Sequence, residues 1–356
     1  MSHRLPPNLL VHRCPAEGWR VVRRPFQGGR VMSAFQRALG SASWPRSTAD
    51  LAAIGVKHST TRGKKWRQTS RGFFVPAGLP ESTTQRVLEA TPLVPEGGAL
   101  AGWAAAYVLG VDCLDGRDPH TMSPLPITVS LGRDSGRLDT DRLRYVRDRL
   151  PTQSRMMHHG ISVTTPERTA FDGARWAPSL VEAVVFLDQI THALPIDLAA
   201  LSNWCAPGGR WPGIDQLRQA LPLAEPASAS PWESRLRMFY THQAKLPRPG
   251  VNKAIFSPDG DLLGIADLFD PDAGLVTEFD GQDHRKRAQH RADNLREERL
   301  EEANLMVCRV DSLDLRFPRP LVERLRARHS QGMQRDRRRD GWTLTPPPWW
   351  RHRIAS

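Results

Sequence analysis

Residues 262–280 read LLGIADLFDPDAGLVTEFD. Apolar alternation over 262–269 and again over 275–280 predicts two strands, and Pro271-Asp272-Ala273-Gly274 between them has the composition of a tight turn. Strand residues two apart share a face, so Glu278 and Asp280 lie with Val276, while Leu275, Thr277 and Phe279 point the other way. The short turn brings Asp267 opposite residues 277–278. Carboxylates on an otherwise apolar strand are costly to bury unless a cation neutralises them. Three converging carboxylates, Asp267, Glu278 and Asp280, are the oxygen donors that Mg2+ or Mn2+ takes. An ion held there could polarise a phosphoryl oxygen and lower the pKa of a bound water, which is the chemistry of phosphodiester hydrolysis. Asp270, Asp272 and Asp283 read as ordinary loop carboxylates.

The flanking elements extend this unit. A helix is expected over 231–244, with Ser230 as its cap and Glu233 three residues on at capping-box spacing. Glu233 fits a supporting carboxylate of the metal site or a simple capping residue. A strand over 251–256 precedes the quoted stretch. A long charged helix over 284–304 and a buried strand over 305–310 follow it, which gives the order αβββαβ within residues 231–330. His284 opens the long helix and is the candidate to act on water or leaving group. Arg285, Lys286, Arg287 and Arg291 in its first turns are candidates to grip phosphates, and Asp293 with Arg296, three apart, reads as a structural pair.

Upstream, Ser47 or Thr48 caps a short helix that Gly55 ends. The cations Arg62, Lys64, Lys65, Arg67 and Arg71 follow, and Gly72-Phe73-Phe74-Val75-Pro76 forms a short strand. Helix, basic turn and strand hairpin is how a winged-helix-like module, here residues 33–80, meets DNA phosphates. A solvated basic loop fits the same residues. Residues 81–206 read as an α/β middle domain with a helix over 99–110, strands over 126–131 and 160–164, and a helix after Thr165-Pro166. His158 and His159, adjacent in a strand, should point to opposite faces. Residues 207–230 read as a linker, 1–32 as a leader without regular structure, and 331–356 as a basic tail of the same kind. The chain as a whole is therefore expected to be a multi-domain α/β protein.

A net charge of +12 and a pI near 10.3 favour a polyanionic partner, with DNA first among them. The four cysteines form no CxxC pair, which argues against a zinc site or a disulfide framework. No apolar run reaches the roughly 20 residues of a membrane span, and the N-terminus lacks a signal core, so a cytoplasmic protein is expected.

Glu278-Phe279-Asp280-Gly281-Gln282-Asp283-His284, followed by Asp293-Asn294-Leu295-Arg296 and Leu300, resembles the pattern E-[YF]-D-G-x-x-H…D-x-x-R-x-x-x-L. That pattern belongs to bacterial endonuclease-like domains related to the very-short-patch repair endonucleases of the PD-(D/E)XK superfamily. Pro231-Trp232-Glu233-Ser234-Arg235-Leu236-Arg237 is similar to the first helix of that family, whose Glu often joins the metal site. The superfamily's Lys, two residues after the Glu, is replaced here by Asp280, which cannot supply its positive charge. Residues 66–76, 102–105 and 164–172 resemble the N-terminal part of actinobacterial proteins of the same architecture, in which a winged helix like that of abortive-infection AbiEi antitoxins precedes the endonuclease-like domain. The resemblance implies a Mg2+- or Mn2+-dependent DNA endonuclease with Glu278, Asp280, His284 and Glu233 at its catalytic centre. The alternative it leaves open is a non-catalytic DNA-binding regulator or antitoxin that keeps the nuclease fold as a scaffold.

Overall fold

A computed structural model describes residues 9–14, 18–23, 32–132, 136–205, 211–281 and 287–350, without the side chains of residues 9–14, 18–23 and 287–294. The chain divides into two compact units, Val31–Leu223 and Ala224–Ser356, the latter grouped with residues 1–30. Within the segment expected to be an unstructured leader, β1 (Leu9–Cys14) pairs antiparallel with β2 (Gly18–Arg23).

The N-terminal unit opens with α1 (Ala34–Leu39), β3 (Arg46–Ser47), α2 (Thr48–Ala53), α3 (His58–Thr61), β4 (Trp66–Ser70) and β5 (Phe73–Pro76), and its small sheet has the order β3-β5-β4. Ser47 caps α2 reciprocally: its side chain accepts from the Asp50 amide, and the Asp50 carboxylate accepts from the Ser47 amide. Gly72, at φ +80, makes the tight turn between β4 and β5 at no side-chain cost. Leu51, Phe74 and Val75 of these elements are buried, and Phe35 of α1 is buried against Tyr107 and His159 further along the unit.

Next come α4 (Thr83–Ala90), β6 (Ala99–Ala101), α5 (Gly102–Val108), β7 (Ile127–Ser130), β8 (Leu143–Val146), β9 (Arg155–His158) and β10 (Ile161–Thr164). The five strands form a mixed sheet in the order β8-β7-β6-β10-β9. The expected helix over 99–110 begins three residues late, because Ala99-Leu100-Ala101 is the central strand and Gly102 at φ +58 turns it into α5. An apolar run buried on both sides has no period that separates strand from helix. The two histidines also depart from expectation. His159 sits in the β9–β10 turn at φ +49, so its ring lies 4.3 Å from that of His158 instead of on the opposite face.

Helices α6 (Pro166–Trp176), α7 (Leu180–Ala193), α8 (Leu198–Trp204) and α9 (Ile214–Ala220) complete the unit. Ile214, Leu217 and Ala220 are buried, so much of the expected linker 207–230 is core, and the units divide at residues 223 and 224. α6 carries a buried charge cluster. Asp172 accepts from Arg168 Nε at 2.7 Å and from Arg175 Nε at 2.9 Å, and Arg175 also pairs with Asp148. Burial pushes the Asp172 carboxyl up, and the two guanidiniums oppose it.

The C-terminal unit runs α10 (Pro231–Met238), a π-helical turn (Phe239–Gln243), β11 (Gly250–Phe256), β12 (Leu262–Asp270), β13 (Leu275–Phe279), α11 (Arg287–Glu302), β14 (Met306–Val310), α12 (Ser312–Arg316) and α13 (Pro318–Met333). Its sheet has the order β11-β12-β13-β14, antiparallel except for the last, parallel pair. One face packs Val251, Leu268 and Leu275 against Leu236, Tyr240 and Leu325. The other packs Ile255, Ala266 and Val276 against Leu300 and Leu305. Val251 and Ile255 have the same parity yet serve opposite faces. Asn252 between them is at φ +48, a break that turns the β11–β12 ribbon over.

Two further expectations are corrected here. Asp270 is no loop residue: it is buried at the end of β12, accepts from the amides of Asp272 and Ala273 and from the Tyr240 hydroxyl at 3.2 Å, and lies 3.3 Å from His329 Nε2. Residues 334–350, within the tail expected to lack structure, are packed. Thr343 exchanges backbone hydrogen bonds with Phe256, Trp342 meets Phe269 edge to face, and Trp350 is buried against Phe256. The tryptophans supply an apolar area that the Arg- and Pro-rich composition concealed.

Asp172→Ala should destabilise the full chain by about 3–5 kcal/mol, because it leaves Arg168 and Arg175 buried without their carboxylate. Trp350→Ala should cost about 3–5 kcal/mol for the loss of a buried indole. Urea unfolding followed by fluorescence checks both, and midpoints equal to the parent's would contradict them.

Candidate nucleic-acid interface and acidic centre

The helix–hairpin segment of the N-terminal unit presents Lys57, His58, Arg62, Lys64, Lys65 and Arg71 to solvent. Arg67 is different. It forms a two-pronged pair with Glu89 of α4, Nη1 to Oε2 at 2.9 Å and Nη2 to Oε1 at 2.5 Å, and Gln85 Nε2 donates to the same carboxylate at 3.0 Å. This cation fastens β4 to α4, whereas its neighbours remain on the surface.

In the C-terminal unit Leu268, next to Asp267, pairs with Thr277, next to Glu278, and Glu278 itself pairs with Arg309 of β14. Asp267 Oδ2 accepts from the Phe279 amide at 2.9 Å. Glu278 is in a short ion pair with Arg296 Nη2, and Arg296 Nη1 donates to the Ile265 carbonyl at 3.3 Å. The neighbouring Glu297 pairs with Arg309 at 2.6 Å. Two adjacent residues of α11 thus pin it across β13 and β14. β13 ends at Phe279, and Asp280 lies beyond it with its amide donating to the Val310 carbonyl at 2.8 Å.

Glu233 is buried at the start of α10. Its Oε2 accepts from the Ala229 amide and from Asn252 Nδ2, both at 2.9 Å, and Asn252 Nδ2 also donates to the Ala227 carbonyl at 2.7 Å. Ser230 caps the helix through the Glu233 amide, but the carboxylate reaches Ala229 and not the cap's own amide. Beside this helix start Trp232 stacks on Phe279, ring centres 5.1 Å apart and nearly parallel, with the Arg235 guanidinium 4.8 Å from the Trp232 ring centre. Sequence reasoning passed over this aromatic stack, whose members lie 47 positions apart.

Of the remaining candidates, His284, Arg285 and Lys286 lie outside the described residues. Arg287, Arg291 and Asp293 fall on the α11 backbone with side chains outside them. The pairing expected between Arg296 and Asp293 therefore lies outside what is described, while Arg296 itself reaches Glu278. Mg2+ or Mn2+ needs several oxygens about 2.1 Å away. Here a guanidinium lies against Glu278, and Asp267 accepts from a backbone amide. Among the described residues no three His, Cys, Asp or Glu side chains are grouped to hold an ion.

Residues 100–203 match the family model described as the AbiEi antitoxin C-terminal domain. The match takes in two of the three segments that carried the antitoxin resemblance, 102–105 and 164–172, and leaves out 66–76. No curated protein and no solved structure matches the chain. Among the described residues no helix is long and apolar enough to cross a membrane.

Glu278→Gln should leave the Arg296 guanidinium against a neutral amide and destabilise the protein by about 2 kcal/mol, the worth of a charged hydrogen bond. A melting temperature unchanged from the parent's would contradict the pairing.

Proposed function

We propose that this chain is a DNA-binding regulator of the antitoxin kind, in which the helix–hairpin segment of residues 33–80 grips phosphates and the C-terminal unit is a non-catalytic nuclease-like scaffold. The observation that carries the reading is the set of exposed cations Arg62, Lys64, Lys65 and Arg71 on that segment, which precedes the antitoxin family match at residues 100–203 in the same compact unit. Its order of helix, strand, two helices and a two-stranded hairpin, with β5 between β3 and β4, suits a winged helix whose hairpin is the wing. Cations there displace counterions from the duplex and supply sequence-independent affinity. Arg67 is assigned a fastening role instead, since Glu89 holds it.

The αβββαβ order of the C-terminal unit supports a restriction-endonuclease-like framework. A Mg2+- or Mn2+-dependent endonuclease is the second reading, and the juxtaposition of Asp267 and Glu278 on neighbouring strands favours it. The ion pair with Arg296 and the Asp280 that stands where the superfamily has Lys weigh toward the scaffold.

Fluorescence anisotropy with a short DNA duplex over a salt series tests the main reading. The Lys64→Ala/Lys65→Ala/Arg71→Ala variant should bind more weakly, and its slope of log K against log salt should fall by about 0.9 for each phosphate contact removed. Glu89→Gln, which releases Arg67, should shift affinity in the opposite direction. Parent affinity and slope in the triple variant would overturn the assignment.

A further inference from the structure

We propose that Arg296 takes the place of a divalent cation at the carboxylates of the C-terminal sheet, so that the protein closes its own metal position with a side chain. The inference rests on reading this unit as a nuclease-like framework. Its evidence, however, is separate from the DNA contacts proposed for the N-terminal unit.

Arg296 engages two neighbouring strands at once. One nitrogen meets Glu278 of β13, and the other donates to the Ile265 carbonyl of β12, two residues before Asp267. Its stem passes over Gly264, where a β-carbon would stand in ordinary van der Waals contact, 3.5 Å from Arg296 Cδ and 3.6 Å from Cγ. Arg309, the register partner of Glu278, is paired with Glu297. That leaves Arg296 as the described cation in contact with Glu278. A guanidinium and a hard divalent ion answer the same need, positive charge beside oxygens. The guanidinium does so with fixed planar donors and without stripping water from an ion. While it is in position, a metal has to displace a charge anchored at two points. Without it, Glu278 loses the guanidinium that meets it.

Mn2+ titration of the purified full chain, read by calorimetry and by the paramagnetic signal of free Mn2+, tests this. The parent should bind no more tightly than Glu278→Gln. Arg296→Met, which keeps an apolar stem and removes the charge, should bind Mn2+ at least tenfold more tightly, and the gain should vanish in Arg296→Met/Glu278→Gln. Arg296→Lys should stay at the parent's level. Circular dichroism establishes that the variants are folded, and Arg296→Gln serves if the Met variant is not. Glu278-dependent Mn2+ binding by the parent as tight as that of the neutral variant would overturn the proposal, as would a folded neutral variant with no gain. DNA affinity plays no part in this readout, so either result leaves the hairpin assignment standing or falling on its own test.

Discussion

A carboxylate placed on an inner strand of a sheet has to be met by positive charge, and the C-terminal unit meets Glu278 with Arg296. Much of the local architecture follows from that one pair. It fixes the rotation of α11 about its axis, because Glu297, one residue on, then falls where it can take Arg309 of β14. It also draws Ile265 of β12 into the same contact, so the helix is tied to three adjacent strands. Asp267, next in the row, is turned to the Phe279 amide and secures the point where β13 ends. On the opposite face Phe279 stacks on Trp232 and seats the start of α10. Glu278, which read as part of a metal site, therefore ties α11 to the sheet, and Phe279 beside it seats the start of α10.

The N-terminal unit uses charge in two contrasting ways. Arg168 and Arg175 are buried on α6 around Asp172, within the segment that matches the antitoxin family. Burying three charges costs solvation that only close, well-directed hydrogen bonds return. These cations are committed to the fold and add nothing to the surface field. Arg67 is committed in the same way by Glu89. Arg71 of the hairpin and Arg62, Lys64 and Lys65 before it are exposed instead. They carry the part of the +12 net charge through which the proposed contact with a polyanion works.

Much of the C-terminal unit was legible in the sequence, because its strands alternate, its turn at 271–274 has turn chemistry, and α10 opens on Ser230 and Pro231. That the turn carries the chain back from β12 into β13 followed from its length. The partner of Glu278 did not, since Arg296 lies 18 positions away and local spacing offered Asp293 first. Asn252 gave no warning of its left-handed backbone, or that Glu233 and Ala227 would both take its amide nitrogen. Ala99-Leu100-Ala101 looked helical because a strand covered on both sides loses its alternation. The tail was misjudged because composition averages over residues, whereas Trp342 and Trp350 act singly, each finding one phenylalanine of the sheet.

The central claim is that the chain holds DNA through its N-terminal unit and leaves it uncut. Plasmid DNA incubated with the purified full chain in Mg2+, in Mn2+ and in EDTA tests it most directly, with retardation and strand breaks scored in the same samples. The account predicts retarded, covalently intact plasmid in all three, with equal affinity. Nicked or linear plasmid in the metal-containing samples alone would contradict it and return the acidic centre to catalysis.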